Sequence, residues 1–420
     1  MRHHKYRELC QKIVDAGGQP YVVGGYVRDL LLGRQPKDVD IVVVGLTPGH
    51  LMSIFPEGHW AGKDFPVLLV DDVEVALART ERKIGMGYTG FECDTEDVTL
   101  EQDLFRRDLR INAIAMDPFT DKIIDPYHGA TDLFNQYLKP VGPHFNEDPL
   151  RVLRAARFAA QFDMLISDSL IEAAISVSTE LNTLPGERIW GELIKALRTE
   201  KPSIFFQALD HMEALEIVFP EIAALQGRVQ PEKYHPEGDA YVHTLQVIDQ
   251  ARRLGADDET MFAALVHDLG KAVTPDDNLP HHYNHEALGV PLVHKICDRL
   301  HVPNSHRKAG AATSKEHLNV HRFDDLKPVK KVRLLMRLGV IQDDLLARRV
   351  TLASKADARG RGPDFWDTEY PQRDRLLEAT AVVRSVKGHE FAHLKDGRKI
   401  AQRMESARAK ALTEAGFDRK

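Results

Sequence analysis

The sequence predicts an α/β head on a mixed sheet, followed by an all-α remainder made of a neck, a histidine-rich domain and a tail. Two observations carry this expectation. Tyr21–Val44, YVVGGYVRDLLLGRQPKDVDIVVV, reads strand, glycine turn, helix, loop, strand, and Val67–Leu77 adds two β-prone runs around Asp71-Asp72. From Asn146 onward, apolar residues recur at helical spacing instead, with breaks at Pro185-Gly186 and Lys201-Pro202. At 420 residues, 43% hydrophobic and 28% charged, the chain has material for roughly two to four ordinary globular domains.

Taken in order, residues 1 to about 18 read as a helix stopped by Gly17-Gly18. Tyr21-Val22-Val23 then runs into Gly24-Gly25, where a backbone without Cβ turns sharply and lets a ligand approach its N–H groups. The helix Tyr26–Leu32 follows, closed by Gly33. Its N-terminus favours an anion, and Arg28, one turn in, adds a planar donor fork suited to phosphate. Asp38-Val39-Asp40 opens the next strand, so both carboxylates leave one face, roughly 6.6 Å apart along the backbone. Two carboxylates held that close repel unless a cation sits between them, and hard oxygen ligands suit Mg²⁺. A phosphate cradle beside metal carboxylates is the equipment of nucleotidyl transfer, in which two ions about 3.5–4 Å apart activate the attacking hydroxyl and stabilise the leaving pyrophosphate. Each piece alone is an ordinary turn or solvated loop; their order on strand–helix–strand makes them a site.

Gly24-Gly25-Tyr26-Val27-Arg28-Asp29 followed by Asp38-Val39-Asp40 resembles the polymerase-β nucleotidyltransferase superfamily, and more narrowly the class II CCA-adding enzymes, the tRNA nucleotidyltransferases of bacterial type. The resemblance implies a polymerase-β-like mixed sheet, Asp38 and Asp40 as catalytic carboxylates holding Mg²⁺, and Gly25 and Arg28 as nucleotide-binding residues. Glu74, inside the apolar run Val73–Leu77, is either the third carboxylate that the superfamily often carries or an outward-facing strand residue. Arg79–Lys83 and the glycine-rich Gly85–Phe91 read as a mobile basic loop near the substrate. Arg106-Arg107-Asp108 with Asn112-Ala113 matches the family's Arg-Arg-Asp-x-x-x-Asn-Ala, which implies that Arg107 contacts the triphosphate. Ile123-Ile124 is one more strand, and the head ends near Pro140–Pro143.

The stretch NEDPLRVLRAARFAAQF predicts a helix over 146–162, with Asn146 as N-cap, acids in the first turn and Pro149 tolerated there. Arg151, Arg154 and Arg157 recur every third residue along one side. On the residues alone this is a charged stripe on an amphipathic helix. The resemblance implies more: Glu147-Asp148-x-x-Arg151 matches the family's base-selecting motif, and Arg154 and Arg157 its nucleotide-binding arginines. The chemistry is consistent. Cytosine and adenine both offer an exocyclic amine beside a ring-nitrogen acceptor, whereas uracil and guanine offer the reverse. A carboxylate that only accepts and an arginine that only donates therefore match C and A and are left unsatisfied by U or G.

Residues 164–225 read as an all-helical neck without evident chemistry. Histidines then become frequent: Tyr234-His235-Pro236-Glu237, His243, and an apolar helix ending in His267-Asp268 within Met261–Lys271. With His243 upstream, this resembles the HD phosphohydrolase domain fused to some bacterial CCA-adding enzymes. It implies a second metal site on His243, His267 and Asp268 for Ni²⁺, Mn²⁺ or Mg²⁺. That pattern wants a later aspartate. Leu318 stands where a carboxylate beside His317 is expected, and Asp357, in Lys355–Gly360, reads as a loop cap more readily than as a substitute ligand.

The net charge of −7 is not the global footprint of a nucleic-acid binder, so any RNA contact must be local. Between 384 and 420, ten Lys or Arg face five Asp or Glu, a surplus of five; a solubilising tail helix and a phosphate-contacting one are equally consistent with it. Three dispersed cysteines and a charged amino-terminal stretch point to a reducing cytoplasm, with no signal segment and no membrane anchor. The expected domains are a head at 1–142, a neck at 143–230, an HD domain at 231–345 and a tail at 346–420. The expected activity is addition of CCA to tRNA from CTP and ATP, by a monomer or homodimer, with a phosphodiesterase or phosphatase activity at the HD centre. The rivals are a bacterial poly(A) polymerase, an RNA-binding factor whose head no longer catalyses, and a protein whose main business is the HD centre.

Overall fold

The computed structural model describes residues 2–62, 66–83, 91–394 and 396–418. The chain forms two compact units, Met1–Leu184 with Gln207–Val218, and Pro185–Phe206 with Phe219–Lys420.

The first unit is built on a mixed sheet. Its strands are β1 (Gln19–Val23), β2 (Asp40–Val44), β3 (His59–Ala61), β4 (Val67–Val70) and β5 (Val73–Leu77). A separate antiparallel ribbon, β6 (Thr80–Lys83) with β7 (Phe91–Asp94), precedes β8 (Ala115–Met116) and β9 (Ile123–Ile124). The spatial order is β3-β4-β5-β2-β1-β8-β9, antiparallel throughout except for the β2–β5 pair. Val23, Val42 and Ala115 pack a core with Val98, Leu104 and Val141 on one face. Asp71 and Asp72 take positive φ (50° and 66°), the geometry of a two-residue hairpin whose twist matches its strands. Most of the expected basic loop, residues 84–90, lies outside the described residues.

The arginine-bearing helix starts later than the sequence suggests. Pro143–Glu147 forms a short 3-10 turn, Asp148 is extended (φ −121°, ψ 110°), and the α-helix runs Leu150–Phe162. The cause is local: the ring of Pro149 disfavours the helical conformation at the residue before it, which uncouples Asn146 and the two acids from the helix.

The second unit is all-α. Its centre is formed by the helices Ala240–Arg253, Asp258–Val266, His285–Leu300, Asn304–His321 and Asp344–Arg359, which bury Phe262, Val266, Val293, Val320 and Val350. The turn after Val266 presses onto the helix His285–Leu300 so tightly that a Cβ at Gly270 would lie 1.9 Å from the carbonyl oxygen of His285. That approach brings His285 beside Asp268. Asp357 belongs to the helix Asp344–Arg359 and is 4% exposed, so it is a buried helical residue and not a loop cap; the expected boundary at 345/346 falls inside this helix. Among the described residues no helix is long and apolar enough to cross a membrane.

Candidate active sites

In the first unit, strand register assembles the site. β1 pairs with β2 so that Val23 faces Asp40, and β2 pairs with β5 so that Asp40 faces Glu74. Gly24 follows Val23 directly, at φ +67°; a Cβ there would lie 2.9 Å from Arg107 Nη1 and 4.0 Å from Asp40 Oδ2. Carboxylate and guanidinium therefore converge on one glycine. β2 begins at Asp40, so Asp38 stands exposed just before the paired strand. Burial, then the charges of Glu74 and Asp38, push Asp40 up to about 6 against the opposing pull of Arg107 and Arg28. Of the two readings left open for Glu74, the outward-facing one describes its exposed side chain, whose charge also acts on Asp40 across the strand pair.

The arginines are tied down by acids, of which Asp29 and Asp108 stand in the quoted motifs and Asp103 does not. Fully buried Asp103 receives Arg106 Nη2 at 2.6 Å and Arg107 Nη2 at 3.1 Å. Burial would raise its carboxyl, but the two arginines outweigh it and hold it low. Arg107 also donates to Asn112 O at 3.4 Å. Arg28 is buried under the glycine turn, donating to Asp29 Oδ1 (2.9 and 2.7 Å) and to Asn112 Oδ1 (2.6 Å), with its guanidinium 4.6 Å from the ring centre of Phe162. Burial lowers its pKa, and Asp29 resists. Asn112 Nδ2 donates in turn to Asp108 Oδ1 (3.0 Å), while Asp108 Oδ2 takes Arg154 Nε and Nη2 (2.8 and 2.7 Å). A continuous chain Arg28–Asn112–Asp108–Arg154 thus runs from the glycine turn to the helix Leu150–Phe162. The visible signal for it was the Arg-Arg-Asp-x-x-x-Asn-Ala spacing, which puts Asp108 and Asn112 four apart.

The trio expected to select the base is held locally instead. Arg151 Nη1 donates to His144 O (2.7 Å), Asp148 Oδ1 accepts from Leu150 N (2.9 Å), and Glu147 Oε1 meets His144 Nδ1 (3.0 Å). Arg157 is buried, donating to Gln161 Oε1 at 2.9 Å and lying 4.1 Å over the ring of Phe158. Gly25 sits above Arg28, whose Nη2 would be 3.6 Å from a Cβ there.

In the second unit, His243, His267 and Asp268 come together with Asp357 as a fourth member. His243 Nε2 lies 3.2 Å from Asp357 Oδ1 and 3.8 Å from Asp268 Oδ2; His267 Nε2 lies 3.2 Å from Asp268 Oδ2 and 3.9 Å from Asp357 Oδ1. Edges of this length suit nitrogen and oxygen donors about 2.0–2.2 Å from a common ion. The rings are turned for that purpose. His267 Nδ1 bonds Ala264 O (2.8 Å), and His243 Nδ1 faces Glu237 Oε1 (2.7 Å) and Gly360 O (3.1 Å), leaving both Nε2 atoms aimed inward. His267 Nε2 is buried with no hydrogen-bond partner, so the donor set fits a divalent cation. Burial alone would lower His243, but the hydrogen bonds of Asp357 and Glu237 outweigh it and bring it up to about 9. Lys271 Nζ reaches Asp268 Oδ2 at 2.6 Å, and His321 Nε2 reaches Asp357 Oδ2 at 2.6 Å with Tyr370 OH behind it, 2.8 Å from His321 Nδ1. The cluster opens on a cavity of about 600 Å³ whose wall includes Tyr234, Tyr283, Arg322 and Arg361. Sequence reasoning missed Asp357 as a member, although Leu346, Val350, Ala353 and Asp357 recur at helical spacing.

Comparison with known proteins finds three family models along the chain. Residues 20–139 match the family model described as poly A polymerase head domain, 163–226 that of a probable RNA and SrmB-binding site of polymerase A, and 240–359 the HD domain. A multifunctional CCA protein of Mannheimia succiniciproducens is 47% identical over 383 residues, 88% of this chain and 90% of that protein. One from Stenotrophomonas maltophilia is 43% identical over 407 residues, 94% and 99% of the two chains. The fold is also that of the Bacillus stearothermophilus CCA-adding enzyme solved with CTP, at a TM-score of 0.68 and 23% identity over 97% of this chain and 92% of that one. With relatives at 43–47% identity aligned over nearly their whole length, this chain belongs to the family of multifunctional CCA proteins.

Proposed function

We infer that the chain adds CCA to the 3′ end of tRNA, taking CTP and ATP in turn and releasing pyrophosphate. The observation that carries this reading is the convergence of Asp40 and Arg107 on the Gly24 turn, with Glu74 opposite Asp40 in the sheet and Asp38 adjoining. Asp38 and Asp40 hold Mg²⁺, with Glu74 adding negative charge beside them. Arg107 and the turn at Gly25 take the triphosphate. Arg28, Arg154 and Arg157 shape the nucleotide pocket through Asn112, Asp108 and Phe158, and Glu147, Asp148 and Arg151 form the base-reading corner. When bound, Mg²⁺ supplies Lewis acidity to the attacking hydroxyl and the leaving pyrophosphate. The organisation that goes with this reading is a head at 1–142, a neck at 143–230, an HD portion that takes in the helix through Arg359, and a helical tail beyond it. The HD cluster holds Ni²⁺, Mn²⁺ or Mg²⁺ and serves a phosphodiesterase or phosphatase reaction on nucleotide phosphates. The protein acts in the cytoplasm, as a monomer or homodimer.

The test is incorporation from each NTP separately, on tRNA lacking its terminal CCA. Uptake of C, then of A only after C, is the expected result. Long A tails without use of CTP would select a poly(A) polymerase, and RNA left unextended with every NTP would overturn the assignment.

A further inference from the structure

Beyond the His243–His267–Asp268–Asp357 set lies a second convergence of donor atoms. His285 Nε2 is 3.3 Å and His317 Nε2 3.5 Å from Asp268 Oδ1, and the two Nε2 atoms are 3.3 Å apart. All three residues are buried and could together hold an ion. The tautomers follow from the other ring nitrogens. His285 Nδ1 lies 2.7 Å from His282 O, and His317 Nδ1 3.1 Å from both Thr313 O and Ser314 O. Backbone carbonyls only accept, so each Nδ1 carries a hydrogen, and each Nε2, turned toward Asp268 Oδ1 and toward the other ring, is the atom left to a cation. Asp268 Oδ1, which both Nε2 atoms face, is buried and meets no hydrogen bond of good geometry. Two imidazole Nε2 atoms and a carboxylate oxygen within 3.5 Å of one another, on the wall of the cavity, make a compact donor set that a divalent cation satisfies.

We propose that the second unit holds a dinuclear divalent-metal centre bridged by Asp268, with one ion on His243, His267, Asp268 Oδ2 and Asp357, and a second on His285, His317 and Asp268 Oδ1. The second ion has three protein ligands, and its remaining positions face the cavity that His281, Tyr283 and Arg322 also line. An ion with positions open to a ligand suits a catalytic role better than a closed structural site. The tight seat of Gly270 against His285 is then a requirement of the bridge, because it sets the distance from Asp268 to the helix that bears His285. The proposal rests on reading the HD cluster as a metal centre, and the experiment separates the two.

The full chain carrying Asp38→Asn and Asp40→Asn, which silences the head, is dialysed against Mn²⁺; bound metal is counted by mass spectrometry and examined by electron paramagnetic resonance. Two Mn²⁺ per chain and an exchange-coupled spectrum are expected. His285→Gln and, separately, His317→Asn should each bring the count to one and convert the spectrum to that of an isolated ion, while His243→Ala should leave the second ion weakened but detectable. One Mn²⁺ in the parent protein, unchanged by His285→Gln, would overturn the second site and leave the first. No Mn²⁺ in the parent would overturn the metal centre itself. The parent measurement needs no substitution in the second unit, so a variant that fails to fold cannot hide the answer.

Discussion

Asp40 and Glu74 are 34 positions apart in sequence and side by side in the sheet, because β2 and β5 form its one parallel pair. Nothing in the alternation of Val73–Leu77 announced this. A period of two says which face a residue takes, but not which strand will lie beside it. Glu74→Gln should lower the rate of nucleotide incorporation about a hundredfold, near 2.7 kcal/mol of barrier, and leave the melting temperature almost unchanged, since the side chain is exposed. A wild-type rate would show that Glu74 is only a surface residue. Asp108 answers to a different measurement. Its carboxyl is held below the usual range: burial opposes ionisation, but Arg154 and Asn112 outweigh it. A group depressed in the folded state stabilises above its unfolded pKa and loses that contribution as pH falls through the folded value. Asp108→Asn should therefore cost about 1–3 kcal/mol at pH 7, and the gap from wild type should narrow only below about pH 4. Urea denaturation at pH 7, 5 and 3.5 checks both statements; a gap that closes between pH 7 and 5 would refute them.

At the scale of elements, the glycine turn shows what a motif conveys and what it omits. Gly24-Gly25 announced a sharp turn, but not that Arg107 would occupy the space where a side chain on Gly24 would go. Gly24→Ala should meet both the cost of positive φ, on the order of 1–3 kcal/mol, and a collision with Arg107. A raised KM for CTP together with a lower melting temperature is expected; lost stability with an unchanged KM would mean that Arg107 is not at the nucleotide. The helix Leu150–Phe162 gives the opposite lesson. Its arginine spacing was readable, yet its start was misplaced by the four positions from Asn146 to Leu150, because capping preferences were weighed ahead of the constraint that Pro149 puts on Asp148. Asp357 was misread for a related reason: Gly360 close behind it looked like a loop, while the buried face of the helix Asp344–Arg359 is diluted by Arg, Lys and Asp on the other sides.

For the whole molecule, the two proposed chemistries should be separable by single substitutions, because the residues assigned to them fall in different compact units. His267→Ala should abolish hydrolysis of nucleotide phosphates with nucleotide incorporation intact, and Asp40→Asn should do the reverse; loss of both activities from either change would refute the separation. The class of each unit was legible from β-prone runs giving way to helical spacing. The units themselves were legible only in part: the break read at Pro185-Gly186 falls where the chain first leaves the amino-terminal unit, but no turn residue marks the return at Gln207, which lies inside the helix Ser203–His211.

Those exchanges bear on how the protein is made. The amino-terminal unit is incomplete at Leu184, and its missing piece, Gln207–Val218, is translated only after 22 residues, 185–206, that belong elsewhere. At ordinary synthesis speeds this is a delay of about 2–7 s for the 34 residues from 185 to 218, and the expected consequence is that the amino-terminal unit completes its packing only after that interval. Ribosome-arrested chains should show it: protease resistance of the head should rise between an arrest point that has exposed only Leu184 and one that has exposed Val218.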